Sequence, residues 1–346
     1  MKLKKVLAAA LAASMALSIV ACGSSNNAGN ASGSNASGSN GSGNPTYELK
    51  ISTTQTNTSM IYQGLQAAAD EIMEKTNGDV KVTVYPSSQL GAEEDMIDQA
   101  MAGMGIAVLT DAGRMSSYVN DIGIFNMAYL VDSYEDGLKI METDTFKGWE
   151  DELINQGIRV FAFNFYDGAR SFMGHKPATT PADLKGVVTR TPGADPYNYS
   201  ITAMGATPYN IAWSEVYNSI QTKAIDACEV QYTSAVSSAI YEVCEYVNKT
   251  EHIHLFNCLI GGEAWFSKLP EEYQQIVLDA CYNNAYDNAQ DIIAAQPEME
   301  QTLVDNGMEI VEVDKDAFKT AVKTAYDQLG WTELRQQLYT EAGLDY

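Results

Sequence analysis

The chain of 346 residues carries 21 lysines and arginines against 45 aspartates and glutamates, a net charge of −24 at neutral pH, with a pI near 4.3. So acidic a protein is excluded from holding nucleic acid or an anionic lipid surface as its direct ligand. Its length exceeds one comfortable hydrophobic core and favours two domains.

The first 22 residues read as an address. Lys2, Lys4 and Lys5 precede an apolar run from Val6 to Val20, too short to span a bilayer and typical of an export signal. The run ends Ser18-Ile19-Val20-Ala21-Cys22-Gly23, which resembles a bacterial lipobox. There the Cys22 thiol is the nucleophile that accepts the lipid, and a diacylglyceryl group supplies the two chains that stable anchoring needs. Gly23 to Asn44 contains only Gly, Ser, Asn and Ala, and residues 23–45 are expected to be a flexible linker. The expected location is extracytoplasmic, lipid-anchored to the cell membrane, on a Gram-positive surface or in a periplasm.

The body then alternates strands and helices. Tyr47 to Ser52 reads as a strand, followed by the polar loop Thr53 to Ser59. Ile61, Leu65, Ala68 and Ile72 recur at helical spacing between Met60 and Lys75, and Asn77-Gly78 stops that helix. Val80, Val82 and Val84 alternate as a strand. A helix from Glu93 to Ala102 and a short buried strand, Ile106 to Leu109, complete a βαβαβ start that argues for a parallel sheet with helices on both faces. Glu93, Glu94 and Asp95 are expected to complement the dipole at their helix start. Further on, Arg159 to Phe163, Val187 to Arg190 and Ala224 to Val230 read as strands. Ser214 is the expected N-cap of a helix from Glu215 to Thr222. Helix is expected from Pro270 to Asp305, interrupted near Pro297, and again from Lys315 to Leu329.

Between Gly168 and Ala194 the charge balance reverses. Arg170, Lys176, Lys185 and Arg190 face one acid, Asp183, for a local net of +3. A basic island in an acidic protein is where an anion binds, because a cleft of one sign focuses the field. Arginine suits a carboxylate because its planar fork donates two parallel hydrogen bonds.

The same region holds GAR (Gly168 to Arg170), TPADLKG (Thr180 to Gly186), TRTPG (Thr189 to Gly193) and MGATPYNIAWSEVYNSIQTKAIDACE (Met204 to Glu229). Together with KVTVYPSSQLG (Lys81 to Gly91), these segments resemble the DctP-like substrate-binding proteins of TRAP (tripartite ATP-independent periplasmic) transporters. The resemblance implies an α/β, two-lobed periplasmic-binding-protein-like fold with a ligand cleft between the lobes and a long connecting helix. Lobe I would comprise residues 46–167 plus 256–296, and lobe II 168–255 plus 297–346. It makes Arg190 the principal carboxylate-binding arginine, Arg170 a second basic position and Trp213 the aromatic that packs on the substrate. Asp226 to Glu229 matches a family strand, so Glu229 and the Val230 and Gln231 that follow are ligand candidates. Val230 stands where the family commonly has a ligand-binding asparagine. Thr53 and Thr54 stand where it often has His-Asn. Thr110 and Asp111, at the end of the third strand, complete the candidate set.

The implied function is capture of a small organic carboxylate, a dicarboxylate or a related organic acid, by hinge closure. The small and large membrane subunits of a TRAP transporter are the implied partners, with no cofactor and no enzymatic role. Two other readings stand beside it: a ligand-presenting accessory protein of a sensor kinase, and a secreted hydrolase or lyase. No GxSxG elbow, P-loop or GxGxxG is present to carry the last. His252-x-His254 lacks a third ligand for a metal. Cys228, Cys244, Cys258 and Cys281 allow three disulfide connectivities, and in a body of this size they read as buried free thiols.

Overall fold

The computed structural model describes residues Pro45–Asp345. The expected signal, Cys22 and linker lie outside the described residues. Nine strands form one mixed sheet: β1 (Tyr47–Ser52), β2 (Val80–Tyr85), β3 (Ile106–Asp111), β4 (Ile158–Gly174), β5 (Val188–Thr191), β6 (Thr207–Asn210), β7 (Ala227–Gln231), β8 (Tyr246–Gly262) and β9 (Glu309–Val311). The order is β2-β1-β3-β8-β4-β7-β5-β6, with β9 on β8.

The helical periodicity of residues 60–75 yields the helix Met60–Lys75, whose N-cap Ser59 accepts a hydrogen bond from the Tyr62 amide. Its Ile61, Leu65, Ala68 and Ile72 are buried, as the spacing requires. The valines of β2 are buried and alternate with partly or fully exposed residues.

The α/β class is as expected, but the sheet is not parallel throughout. β1 pairs β2 and β3 in parallel, and β5 pairs β6 and β7 in parallel. Between these two ends run β4 and β8, 17 residues each, antiparallel to one another and to their outer neighbours β7 and β3. At roughly 3.3 Å per residue each reaches ~55 Å, long enough to belong to both ends.

The β4–β8 ladder slips at four places, among them Tyr166/Ala169 and Arg170/Phe172. Gly168 sits in the first of these two slips with φ +100°, and a Cβ there would come within 3.1 Å of the Gln296 amide. Glu251, on the β8 side, has φ +45°. Two hydrophobic clusters form the core: a large one that spans β1–β3, much of β4 and β8 and the adjoining helices, and a smaller one that includes Val216, Ile225, Cys228, Val230 and Leu303.

Three expectations are corrected. The helix Glu271–Asp305 is continuous over 35 residues, with Pro297 inside it. Pro297 has no N–H to give the Ile293 carbonyl, and both residues lie beside a cavity of about 610 Å³. Ser214 is not an N-cap: the helix runs Trp213–Gln221 with Ala212 at its N-cap and no side-chain cap. The strand read at Arg159–Phe163 continues through the GAR segment. All four described cysteines are buried and unpaired.

Candidate functional site

A cleft of about 860 Å³ opens where the ends of β3, β5 and β7 meet the middle of β4 and β8. One wall is cationic and aromatic. Arg190, at the end of β5, is 7% exposed, and its Nε donates to the Ile211 carbonyl at 3.1 Å. Its guanidinium lies 5.4 Å from the centre of the Trp213 ring, and the Trp213 indole N–H donates to Ser238 at 3.3 Å. Among the described residues no carboxylate lies within ion-pair distance of Arg190. Burial, and then repulsion from Arg170, lower its pKa to about 10. It is a buried cation without a counter-ion, the most costly kind of group in a protein interior.

Arg170 differs in kind. Its Nε donates to Glu229 Oε2, and its Nη2 donates to Glu229 Oε1 and to the Glu229 carbonyl, both at 2.7 Å. Its Nη1 donates to Gln231 Oε1 at 3.3 Å. Burial opposes the charge, but Glu229 more than offsets it and holds the Arg170 pKa above its usual value. Burial likewise opposes the Glu229 charge, yet Arg170, together with His252, brings its pKa down to about 2. His252 Nε2 stands 3.5 Å from Glu229 Oε2, and its Nδ1 is 2.9 Å from the Thr250 hydroxyl. These contacts engage His252, and His254 Nδ1 lies 2.7 Å from the Tyr166 hydroxyl; among the described residues no cluster of three or more metal-ligating groups occurs.

The facing wall is acidic and hydroxylated. Thr110 donates to Glu93, and Arg114 pairs with Glu93 through Nε at 3.0 Å and with Glu94 through Nη1. Burial raises the Glu93 pKa even with Arg114 beside it. Asp111 accepts from the Arg114 amide at 3.0 Å and from the Tyr197 hydroxyl at 3.2 Å. The Tyr197 ring in turn lies 5.3 Å from the Arg170 guanidinium, joining the two walls. Asn257 contributes an Nδ2 that is buried without a partner among the described residues.

The predicted site residues Arg170, Arg190, Trp213, Val230, Gln231, Thr54, Thr110 and Asp111 all line this cleft. Two do not. Glu229 is fully buried behind it as the Arg170 counter-ion. Thr53 is buried with its hydroxyl accepting from the Gln55 amide at 3.1 Å. Sequence reasoning did not single out Gln55, Glu93, Arg114, Asp167, Tyr197 and Asn257 as site residues. Glu93 and Glu94 were expected to complement a helix dipole, and only their approach to Arg114, twenty residues on, brings them to the cleft. A run of polar residues immediately after an apolar strand was the available signal for Gln55.

A family model described as DctP, bacterial extracellular solute-binding protein, family 7, matches residues 51–331. A solute-binding protein of Chromohalobacter salexigens is 31% identical over 268 residues, 77% of this chain and 80% of that protein. Similar solved structures include a TRAP periplasmic solute-binding protein of Actinobacillus succinogenes with bound L-galactonate. Its TM-score is 0.80 at 28% identity, covering 85% of this chain and 99% of that one. Another, from Ochrobacterium anthropi with bound L-fuconate, gives 0.82 at 27% identity, covering 86% and 99%.

Proposed function

Since the chain belongs to the bacterial extracellular solute-binding proteins of family 7, the two-lobed binding proteins of TRAP transporters and not enzymes, we propose that its cleft captures a hydroxylated monocarboxylate of the sugar-acid class. The observation that carries this reading is Arg190, a buried guanidinium with no carboxylate partner of its own. A solute carboxylate supplies the missing charge, with Trp213 packed alongside. At the facing wall Glu93, Glu94 and Asp111 outnumber Arg114, the cation that pairs with the two glutamates, and their remaining lone pairs suit hydroxyl donors. A second carboxylate there would meet like charges, so a sugar acid fits this cleft better than a dicarboxylate. The sugar acids bound by the two similar structures agree with that preference.

Closure of lobe I (46–167 plus 256–296) on lobe II (168–255 plus 297–346) would dry the Arg190 contact and strengthen it. The slips in the β4–β8 ladder beside the cleft supply a place for the bend. The loaded protein would deliver its solute to the two membrane subunits of a TRAP transporter, held at the membrane by lipid on Cys22. Calorimetric titration of the body, Thr46 to Tyr346, with L-galactonate and with succinate tests the reading. Binding of L-galactonate that disappears in Arg190→Ala supports it, and equal or tighter binding of succinate sinks the sugar-acid assignment. Release of the full chain into the medium by Cys22→Ser tests the anchor.

A further inference from the structure

Beneath the cleft, β4 buries a carboxylate that neither touches the solvent nor pairs with a cation. Asp167 is 0% exposed, and among the described residues no lysine or arginine lies within ion-pair distance of it. Its ligands are neutral donors from three parts of the chain. Gln55 Nε2, on the loop after β1, donates to Oδ2 at 3.0 Å. Gln231 Nε2, at the end of β7, donates to the same oxygen. The Thr233 hydroxyl, on the helix Tyr232–Ser237, donates to Oδ1 at 2.6 Å.

An amide that gives its N–H₂ to a carboxylate turns its oxygen the other way. For Gln231 that oxygen accepts from Arg170 at 3.3 Å. For Gln55 it has no hydrogen-bond partner among the described residues, and Gln55 lines the cleft. The backbone of Gln55 is itself pinned, its carbonyl accepting from the Ser87 amide at 2.8 Å.

We propose that Asp167 is a positioning residue of the cleft, whose carboxylate fixes the orientation of both glutamine amides so that Gln55 presents an oxygen to a hydroxyl of the solute. The inference rests on the solute-binding reading above. It adds a polarity that residue identity alone leaves open, since a glutamine serves a donor or an acceptor equally. Loss of the carboxylate charge removes the reason for that orientation.

Burial pushes the Asp167 pKa up to about 6, against the opposing pull of its three hydroxyl and amide donors and of Arg170. The charged and titratable groups around it are few. Arg170 lies on the same strand and is committed to Glu229 of β7, and Tyr166 is its neighbour in sequence. The loop after β1 and the helix Tyr232–Ser237 turn only amides and hydroxyls to it, and the helix Glu271–Asp305 brings the Gln296 amide to the adjacent Gly168.

The test is a ¹⁵N–¹H spectrum of the ligand-free body from pH 4.5 to 8, following the side-chain amides of Gln55 and Gln231. In the parent both amides should titrate together with a midpoint near 6, and in Asp167→Asn neither should. Gln55→Ala, which keeps the carboxylate but removes one donor to its charged form, should raise the midpoint of the Asp167 ¹³C carboxyl signal. That variant keeps the proposal testable if Asp167→Asn does not fold. Amides that ignore both pH and the substitution would overturn it. With L-galactonate as probe, Asp167→Asn should bind roughly 10-fold more weakly, the size of one misdirected hydrogen bond. Unchanged affinity with shifted amides would refute the positioning role. A parent that binds no L-galactonate would defeat the sugar-acid reading instead, while the amide spectra would still decide for or against Asp167.

Discussion

Two arginines of the same basic island have opposite fates, and charge bookkeeping around each one decides which is available. Arg170 is neutralised by Glu229, so its removal should cost stability; Arg190 is not, and on the proposed function its removal should cost binding. Arg190→Ala should cost about 2–5 kcal/mol of L-galactonate binding, roughly 30-fold to several-thousand-fold, because the solute anion is left unpaired in a dry site. Titration calorimetry reads this directly, and Arg190→Lys should fall between, keeping the charge but losing the fork. Glu229→Gln should lower unfolding stability by about 3–5 kcal/mol by stranding Arg170.

The pH dependence follows with its sign. The folded Glu229 pKa is depressed to about 2, below its unfolded value. The unfolded chain therefore binds more protons between these values, and the contribution of Glu229 is present above about pH 4.5 and lost as pH falls toward 2. Asp167 has the opposite sign: its folded pKa is raised to about 6, so stability falls as pH rises from about 4 to 6. Each is worth roughly 3 kcal/mol at 1.36 kcal/mol per unit. Unfolding curves from pH 3 to 8 on the parent, Glu229→Gln and Asp167→Asn separate the two slopes.

Among the elements, the helix Glu271–Asp305 packs against β4, the helix Met60–Lys75 and the helix Tyr232–Ser237. It approaches the helix Met60–Lys75 at Gly64, where a Cβ would come within 2.6–2.9 Å of Asn288 side-chain atoms. Asn288 donates to the Met60 carbonyl at 2.9 Å, so it is not free to retreat. Gly64→Ala should therefore destabilise by about 1–3 kcal/mol through overpacking, lowering Tm by several degrees. Pro297 works the other way. A proline inside a helix costs up to ~3 kcal/mol. Pro297→Ala, which restores the bond to the Ile293 carbonyl, should raise Tm by a few degrees and slow hydrogen exchange around that turn.

At the scale of the whole molecule, the two parallel ends of the sheet are connected through β4, β8 and the long helix. Ion pairs line the cavity of about 610 Å³, among them Lys249 of β8 with Glu300 of the long helix at 2.8 Å. If closure bends the body here, saturating L-galactonate should reduce the radius of gyration in small-angle scattering. Arg190→Ala should show no change at the same concentration, and a parent profile unaffected by bound solute would exclude closure as the capture step.

Much of this was legible in the chain itself. The helices Met60–Lys75 and Lys315–Leu329 and the strand Tyr47–Ser52 follow from local periodicity and caps, and their bounds agree with the structure. The basic island is local in sequence, and within it the family resemblance carried by TPADLKG and TRTPG made Arg190 the principal candidate. The full length of β4 could not, since Asn164, Asp167, Gly168 and Arg170 read as a turn until distant partners satisfy them. The physical ground for setting Arg190 apart from Arg170 is not local either. Glu229 lies 59 residues beyond the first of these, and only the antiparallel register of β4 on β7 brings it there. Local sequence sets propensity and charge over a few residues. Which buried charges are cancelled, and which one is left for a ligand, is decided by pairings that exist only once the sheet has formed.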